Sequence, residues 1–256
     1  MIRKLVVANW KMHLNASQAS LLVHRLQERI RISRDVEIVL APSSLVLQPL
    51  SMQIDRRKFR LAAQNAYFVD EGAYTGEISF SMLHDLVHYV IIGHSERRMY
   101  FTESLEMIRD KMIACVRNDI TPILCVGETQ HEKRLHETKQ VLHDQVTTAV
   151  TGLTAEDIEN IVIAYEPVWA ISTFQGELAK PTEVKQAMDY IRLQIRELYG
   201  DKAAKRVRVI YGGSVNDKTV EAYLEIEGCD GVLVGGASLN YIEFSNIVEI
   251  ARSVPK

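Results

Sequence analysis

Cysteine is scarce in this chain. Cys115, Cys125 and Cys229 are the only three among 256 residues, and no two of them form a C-x-x-C pair. That excludes a disulfide framework and reads as reduced thiols, in the core or at its boundary, in a reducing compartment. Charge of one sign is scarce too: the net charge is −3 and there is no long basic block, which argues against a dedicated nucleic-acid or membrane surface. No apolar run is long enough to cross a bilayer. Arg3 and Lys4 precede only Leu5 to Ala8, too short for a signal-peptide core, so a cytoplasmic protein is expected. Neither a Pro/Gly/Ser linker nor a low-complexity segment interrupts the chain, so residues 1–256 read as one domain. With 47% apolar and 25% charged residues, the composition is that of a globular protein with a large core.

What is present is a run of short apolar segments of strand type. They cover Leu5 to Ala8, Val36 to Leu40, Phe59 to Ala63, His88 to Ile92, Ile120 to Val126, Ile161 to Tyr165, Val207 to Tyr211 and Gly231 to Val234. Helical periodicity fills most of the gaps. It runs through Leu21, Leu22, Leu26 and Ile30, from Ser44, and over Leu105 to Arg117, Thr138 to Val150, Thr182 to Tyr199, Asn216 to Glu225, and a last stretch to about Arg252. Alternation of this kind predicts parallel strands with right-handed crossovers. The strands are apolar throughout, as expected when both faces are covered. Eight such units in this length predict a closed (β/α)8 barrel, with eight parallel strands and outer helices. A doubly wound open sheet would want a G-x-G-x-x-G turn after the first strand, and Asn9-Trp10-Lys11 is unlike it.

In a barrel of this kind, chemistry sits where strands end and the following loops begin. The polar residues there are Asn9 and Lys11 after the first strand, His94 and Glu96 after the fourth, and Glu166 after the sixth. Pro167 stops the sixth strand and holds Glu166 in extended or turn geometry, as a positioned general base requires. A strand-capping Glu is the plainer alternative. His94 precedes Ser95 and Glu96, which favour a helix start, so amides there would face the ring and disfavour its protonated form. Gly93-His94-Ser95-Glu96-Arg97 nearly matches the hydrolase elbow G-x-S-x-G, but Arg97 occupies the second glycine position. The pairs Gly212-Gly213, before Ser214, and Gly235-Gly236 follow the last two strands. There, backbone N–H groups and helix N-termini commonly hold phosphate. His84-Asp85-Leu86-Val87-His88 has the spacing of a zinc helix, but with Asp in place of Glu and on the wrong side of the fourth strand, so it reads as structural. His131, His136 and His143 read as solvated residues of one polar helix, and no metal site is evident.

Together these residues closely resemble the triosephosphate isomerase family. The matching stretches are Ala8 to Lys11, Ala73 to Glu77, Gly93 to Arg98, Cys125 to Glu128, Ala164 to Ile171, Tyr211 to Val215 and Gly231 to Leu239, in family order from end to end. The resemblance implies interconversion of dihydroxyacetone phosphate and glyceraldehyde 3-phosphate through an enediol(ate), as used in glycolysis and gluconeogenesis. It implies Glu166 as the base, with a neutral His94 polarising the carbonyl, which is this family's known pattern. Lys11 would stabilise the oxyanion and the phosphate, Asn9 would add a polar contact, and Glu96 would hold the hydrogen-bond network. Ser172, Ser214, Gly212, Gly213, Gly235 and Gly236 would bind the phosphate, with Tyr211 and Ser214 holding the closed lid. The resemblance implies no organic cofactor or metal, and a homodimer in which the loop 65–77 brings Thr75 to the partner's site.

One stretch departs from the pattern. The family's lid carries glycines where this chain has Ser172 and Phe174, and the segment to Lys180 is longer. A non-glycine residue at a position needing φ above zero costs roughly 1–2 kcal/mol. Gly176 is the replacement pivot this reading expects. Two rivals remain: a Schiff-base aldolase on the same fold, and a phosphosugar-binding barrel without turnover.

Overall fold

The computed structural model describes residues 3–171 and 178–254. Eight parallel strands close on themselves in chain order: β1 (Lys4–Asn9), β2 (Val36–Ala41), β3 (Arg60–Ala63), β4 (Tyr89–Ile92), β5 (Thr121–Val126), β6 (Val162–Tyr165), β7 (Arg208–Tyr211) and β8 (Gly231–Val234). Closure comes from β8 pairing with β1 in the register Leu5↔Gly231 to Ala8↔Val234. The expected (β/α)8 barrel is therefore present, and strand ends differ from the sequence reading by about one residue, the usual fraying.

Period-2 alternation divides each strand between two cores. Leu5, Val7, Val39, Ala41, Ile91, Ile123, Cys125, Val162, Ala164, Ile210 and Leu233 form one buried cluster, drawn entirely from the strands. Their neighbours Val6, Ala8, Leu40, Ile92, Leu124 and Ile163 belong to a second cluster, shared with helix residues such as Leu22, Leu26, Ile108, Leu142 and Ile191. The first is the barrel interior, and the second is the layer between barrel and helices.

The helices correct the sequence reading in three places. The predicted helix from Asn216 is confined to Val220–Leu224. Asn216 Oδ1 instead accepts from the amides of Lys218 (2.9 Å) and Thr219 (3.0 Å), which favours a turn over a helix start. The predicted Thr182–Tyr199 helix begins at Pro181 and helical structure resumes to Arg206, with Gly200 at φ 84° breaking it after Tyr199. The three histidines read as one helix are divided. His131 lies in Gln130–Arg134, His136 in the turn at φ 60°, and His143 in Thr138–Val150, where Nδ1 meets Gln194 Oε1 at 2.5 Å. His84 and His88 have structural partners, the Asn118 carbonyl at 2.6 Å and Arg60 at 3.0 Å. All three cysteines are free and buried. Among the described residues no helix is long and apolar enough to cross a membrane.

Candidate active site

The parity of each strand decides what reaches the rim. In β1 the inward series Leu5, Val7 continues to Asn9, and in β6 the series Val162, Ala164 continues to Glu166. Both polar groups stand above the barrel core, 6% and 2% exposed. Asn9, Lys11, His94, Glu166, Gly212, Gly213, Ser214, Gly235 and Gly236 line one cavity of about 230 Å³. Glu96 lies beside it, in an adjoining groove that shares Asn9, Lys11 and His94. Ser172 falls outside the described residues, as do Phe174 and Gly176.

Glu166 and His94 form the centre. His94 Nε2 is 3.0 Å from Glu166 Oε1, and the other carboxylate oxygen accepts from the Ser95 amide at 3.2 Å. His94 caps the helix Ser95–Tyr100, and its Nδ1 accepts from the Glu96 amide at 3.3 Å. Those bonds assign the ring proton to Nε2, directed at the carboxylate. Burial pushes Glu166 up, but His94, the Ser95 N–H and Lys11 outweigh it, so the carboxyl is held below its ordinary value. Burial likewise pushes His94 down. The Glu166 carboxylate, together with that of Glu96, more than offsets this, so the ring is held above the ordinary histidine value. The helix amides alone led to the opposite expectation. The amide does reach Nδ1, but an adjacent buried anion is the stronger influence.

Two glycines make room for Glu166. A Cβ on Gly127 would lie 1.9 Å from the Glu166 carbonyl oxygen, and one on Gly212 would lie 2.8 Å from Glu166 Cγ. Gly212 is therefore a space-maker, and its N–H is already donated to the Tyr165 carbonyl at 2.8 Å. The Ser214 amide is likewise engaged with the Ala170 carbonyl at 3.1 Å, and Ser214 borders the cavity. The Tyr211 hydroxyl is buried beside Gly213, and its ring stacks on Tyr223 with centroids 4.1 Å apart.

Lys11 is held from three directions. Its backbone sits at φ 51°, a strained value for a non-glycine residue. Asn9 Oδ1 accepts its N–H at 3.1 Å, and Gln64 Nε2 donates to its carbonyl at 2.9 Å and to the Ala41 carbonyl at 2.8 Å. Nζ pairs with Glu96 Oε1 at 2.5 Å. Sequence reasoning missed Gln64, Gly127 and the bond from the Ser95 amide to Glu166, contributions made through backbone atoms or the absence of a side chain. It also missed Glu243, which lines the cavity and is pushed up by partial burial and by Asp217. Its place in the first turn of the helix Tyr241–Ser253, after the Gly235-Gly236 turn, was the available signal.

The triosephosphate isomerase family model matches residues 4–251. Among curated relatives, the triosephosphate isomerase of Geotalea uraniireducens is 40% identical over 253 residues, covering 98% of this chain and 100% of the relative. That of Dictyoglomus turgidum is 41% identical over 249 residues (97% and 99%), and that of Clostridium tetani 41% over 249 residues (96% and 96%).

Proposed function

The chain belongs to the triosephosphate isomerase family, and on that premise we propose that it interconverts dihydroxyacetone phosphate and glyceraldehyde 3-phosphate at the cavity around Glu166 and His94. Glu166, ionised, takes a proton from the carbon next to the substrate carbonyl. The electron pair moves onto the carbonyl oxygen, and His94 Nε2–H and the Lys11 ammonium stabilise the enediolate. His94 transfers the proton between the two oxygens, and Glu166 returns its own to the neighbouring carbon. Asn9 adds a polar contact and holds Lys11. Glu96 orients Lys11 and the His94 ring from behind. Gly213, Ser214, Gly235 and Gly236 receive the phosphate, and Gly212 keeps Glu166 clear of the turn.

The observation that carries this reading is the convergence of one ionised carboxylate, one imidazole 3.0 Å away and one lysine on a single cavity. The pairing also explains how His94 becomes a neutral acid. A substrate that draws Glu166 off the ring removes the anion that raises it most. Burial, Lys11 and the Glu96 amide remain and disfavour imidazolium, against the weaker opposing pull of the Glu96 carboxylate. Lys11 is ion-paired with Glu96, the opposite of the desolvated, unpaired amine a Schiff-base aldolase needs. A coupled isomerase assay in both directions tests the proposal: turnover of either triose phosphate supports it, and binding without turnover refutes it.

The proposal extends to a homodimer through the loop 65–77. Tyr67 lies 4.5 Å from Phe68 and 4.8 Å from Tyr74, centroid to centroid, so part of the aromatic surface expected on the outside is satisfied within the loop. Tyr74 remains 45% exposed, Met82 68%, Met12 95% and Phe101 64%. Met12 and Phe101 border the groove beside Lys11 and Glu96, which suits a partner's Thr75 loop. Sedimentation equilibrium at micromolar concentration is expected to give a dimer, and an active monomer there would contradict it.

A further inference from the structure

Gln145 lies outside the motif stretches named above and does not line the candidate cavity, yet its side chain is tied to the backbone that pairs with the Glu166 segment. It lies in the helix Thr138–Val150. Its Oε1 accepts from the Gly127 N–H at 2.8 Å, and its Nε2 donates to the Gly127 carbonyl at 3.1 Å. One primary amide thus satisfies both polar groups of one residue, as a neighbouring strand would.

The reason lies in the sheet. β4 pairs with β5 as far as Ile92↔Leu124 and then leaves at Gly93 to place His94. On the other side, pairing toward β6 continues past the strand ends, with Glu166 N donating to the Val126 carbonyl at 2.7 Å and Val168 N to the Glu128 carbonyl at 3.0 Å. Gly127 is therefore flanked on one side only, and Gln145 supplies the missing side. Gly127 in turn presses on Glu166, since a Cβ there would fall 1.9 Å from the Glu166 carbonyl oxygen. A second hollow of about 170 Å³ is bordered by Ser95, Arg98, Cys125, Gly127, Gln145 and Glu166. Beside that hollow, the Glu166 segment is held by the backbone bonds from Glu166 to Val126 and from Val168 to Glu128.

We propose that Gln145 is a positioning residue for the Glu166 carboxylate, acting through Gly127. This rests on the reading of Glu166 as the base. Groups facing that carboxylate are His94 and Lys11 from the rim, the Ser95 amide, and Arg98 and Cys125 from behind. A looser Gly127 lets the carboxylate drift from His94 while leaving the phosphate turns after β7 and β8 untouched.

The test is Gln145→Met, which keeps the length and loses both bonds, beside Gln145→Glu, which keeps the acceptor and loses the donor. Gln145→Met is expected to lower kcat about 10-fold or more, the cost of a small misplacement. KM should stay within about 2-fold, because ground-state binding is unchanged. The acid limb of kcat/KM should move to higher pH, since burial without the full His94 contact raises Glu166. Gln145→Glu is expected to fall between the two. A merely structural glutamine would change Tm and leave kcat and the acid limb where they were, and that result overturns the proposal. If Gln145→Met does not fold, Gln145→Glu decides alone: reduced kcat at unchanged KM supports the proposal, and wild-type kcat overturns it. Glu166→Gln run in parallel separates the two readings. Full activity there removes the base, whereas an inactive Glu166→Gln beside a fully active Gln145→Met removes only the role of Gln145.

Discussion

The two ends of the barrel use the same inward-facing parity for opposite purposes. At the amino ends of the strands, Glu37, Tyr89 and Arg208 point into the barrel. Arg208 donates to Glu37 Oε2 at 2.9 Å and to the Tyr89 hydroxyl at 2.8 Å, and Tyr89 donates to Glu37 Oε1 at 2.8 Å. Burial pushes Glu37 up, but Arg208 and Tyr89 prevail and hold it low, while burial pushes Tyr89 up to about 12. Each polar group has partners within the triad. At the carboxyl ends, Asn9, Lys11, His94 and Glu166 also make internal contacts, but Lys11 sits at a strained φ and Glu166 is buried against a hollow. A closed triad stabilises a fold. A rim whose contacts are strained and exchangeable is arranged to give them up to a substrate.

Breaking each end in turn should separate activity from stability. The largest effect is expected at the rim, where Glu166→Gln keeps the shape and removes the proton acceptor. The expected loss is about 10²–10⁴ in kcat, with Tm nearly unchanged, as steady-state kinetics and a thermal melt will show. At the other end, Arg208→Met strands Glu37 and Tyr89 and should cost up to about 3–5 kcal/mol of stability in a urea titration, with kcat per folded molecule preserved. A Glu166→Gln variant that unfolds, or an Arg208→Met variant that is stable but inactive, would erase the distinction between the ends.

Smaller changes sharpen it. Gly212→Ala puts a methyl group 2.8 Å from Glu166 Cγ and should lower kcat about 10-fold by displacing the carboxylate, with a modest change in Tm. The smallest effect expected is a pH signature in stability. Glu166 is held low, so its contribution is complete above its unfolded value and is lost as pH falls through the folded one. His94 is held high, so its contribution is complete below its unfolded value and is lost as pH rises through the folded one. The wild type's Tm advantage over His94→Gln should therefore peak between about pH 4.3 and 6.5 and shrink on both sides. A difference that does not shrink below and above that window would mean the pair is not coupled in the folded protein.

The barrel was legible because eight buried runs and their intervening helical periodicity are local signals. Asn9 and Glu166 were legible because each is the first polar residue after an apolar run, and His94 because a helix start follows it. What stayed hidden depends on closure. Glu37 and Arg208 are 171 residues apart, and neither has a local pattern that announces the other. Gln64 and Gln145 act on backbone atoms of segments that only the fold brings near. The direction of the His94 shift needed the position of Glu166, which no reading of Gly93 to Arg98 contains. The helix from Asn216 failed because its side chain competes for the first amides, an option that a periodicity count cannot weigh.

The central claim is that the Glu166 carboxylate moves a proton at the carbon beside the carbonyl. The direct measurement is NMR of triose phosphates turned over in deuterated water by the wild type and by Glu166→Gln. The account predicts deuterium at that carbon in the wild-type product, and incorporation slowed in step with kcat in the variant. Wild-type turnover without any deuterium incorporation, or undiminished incorporation by Glu166→Gln, would contradict it.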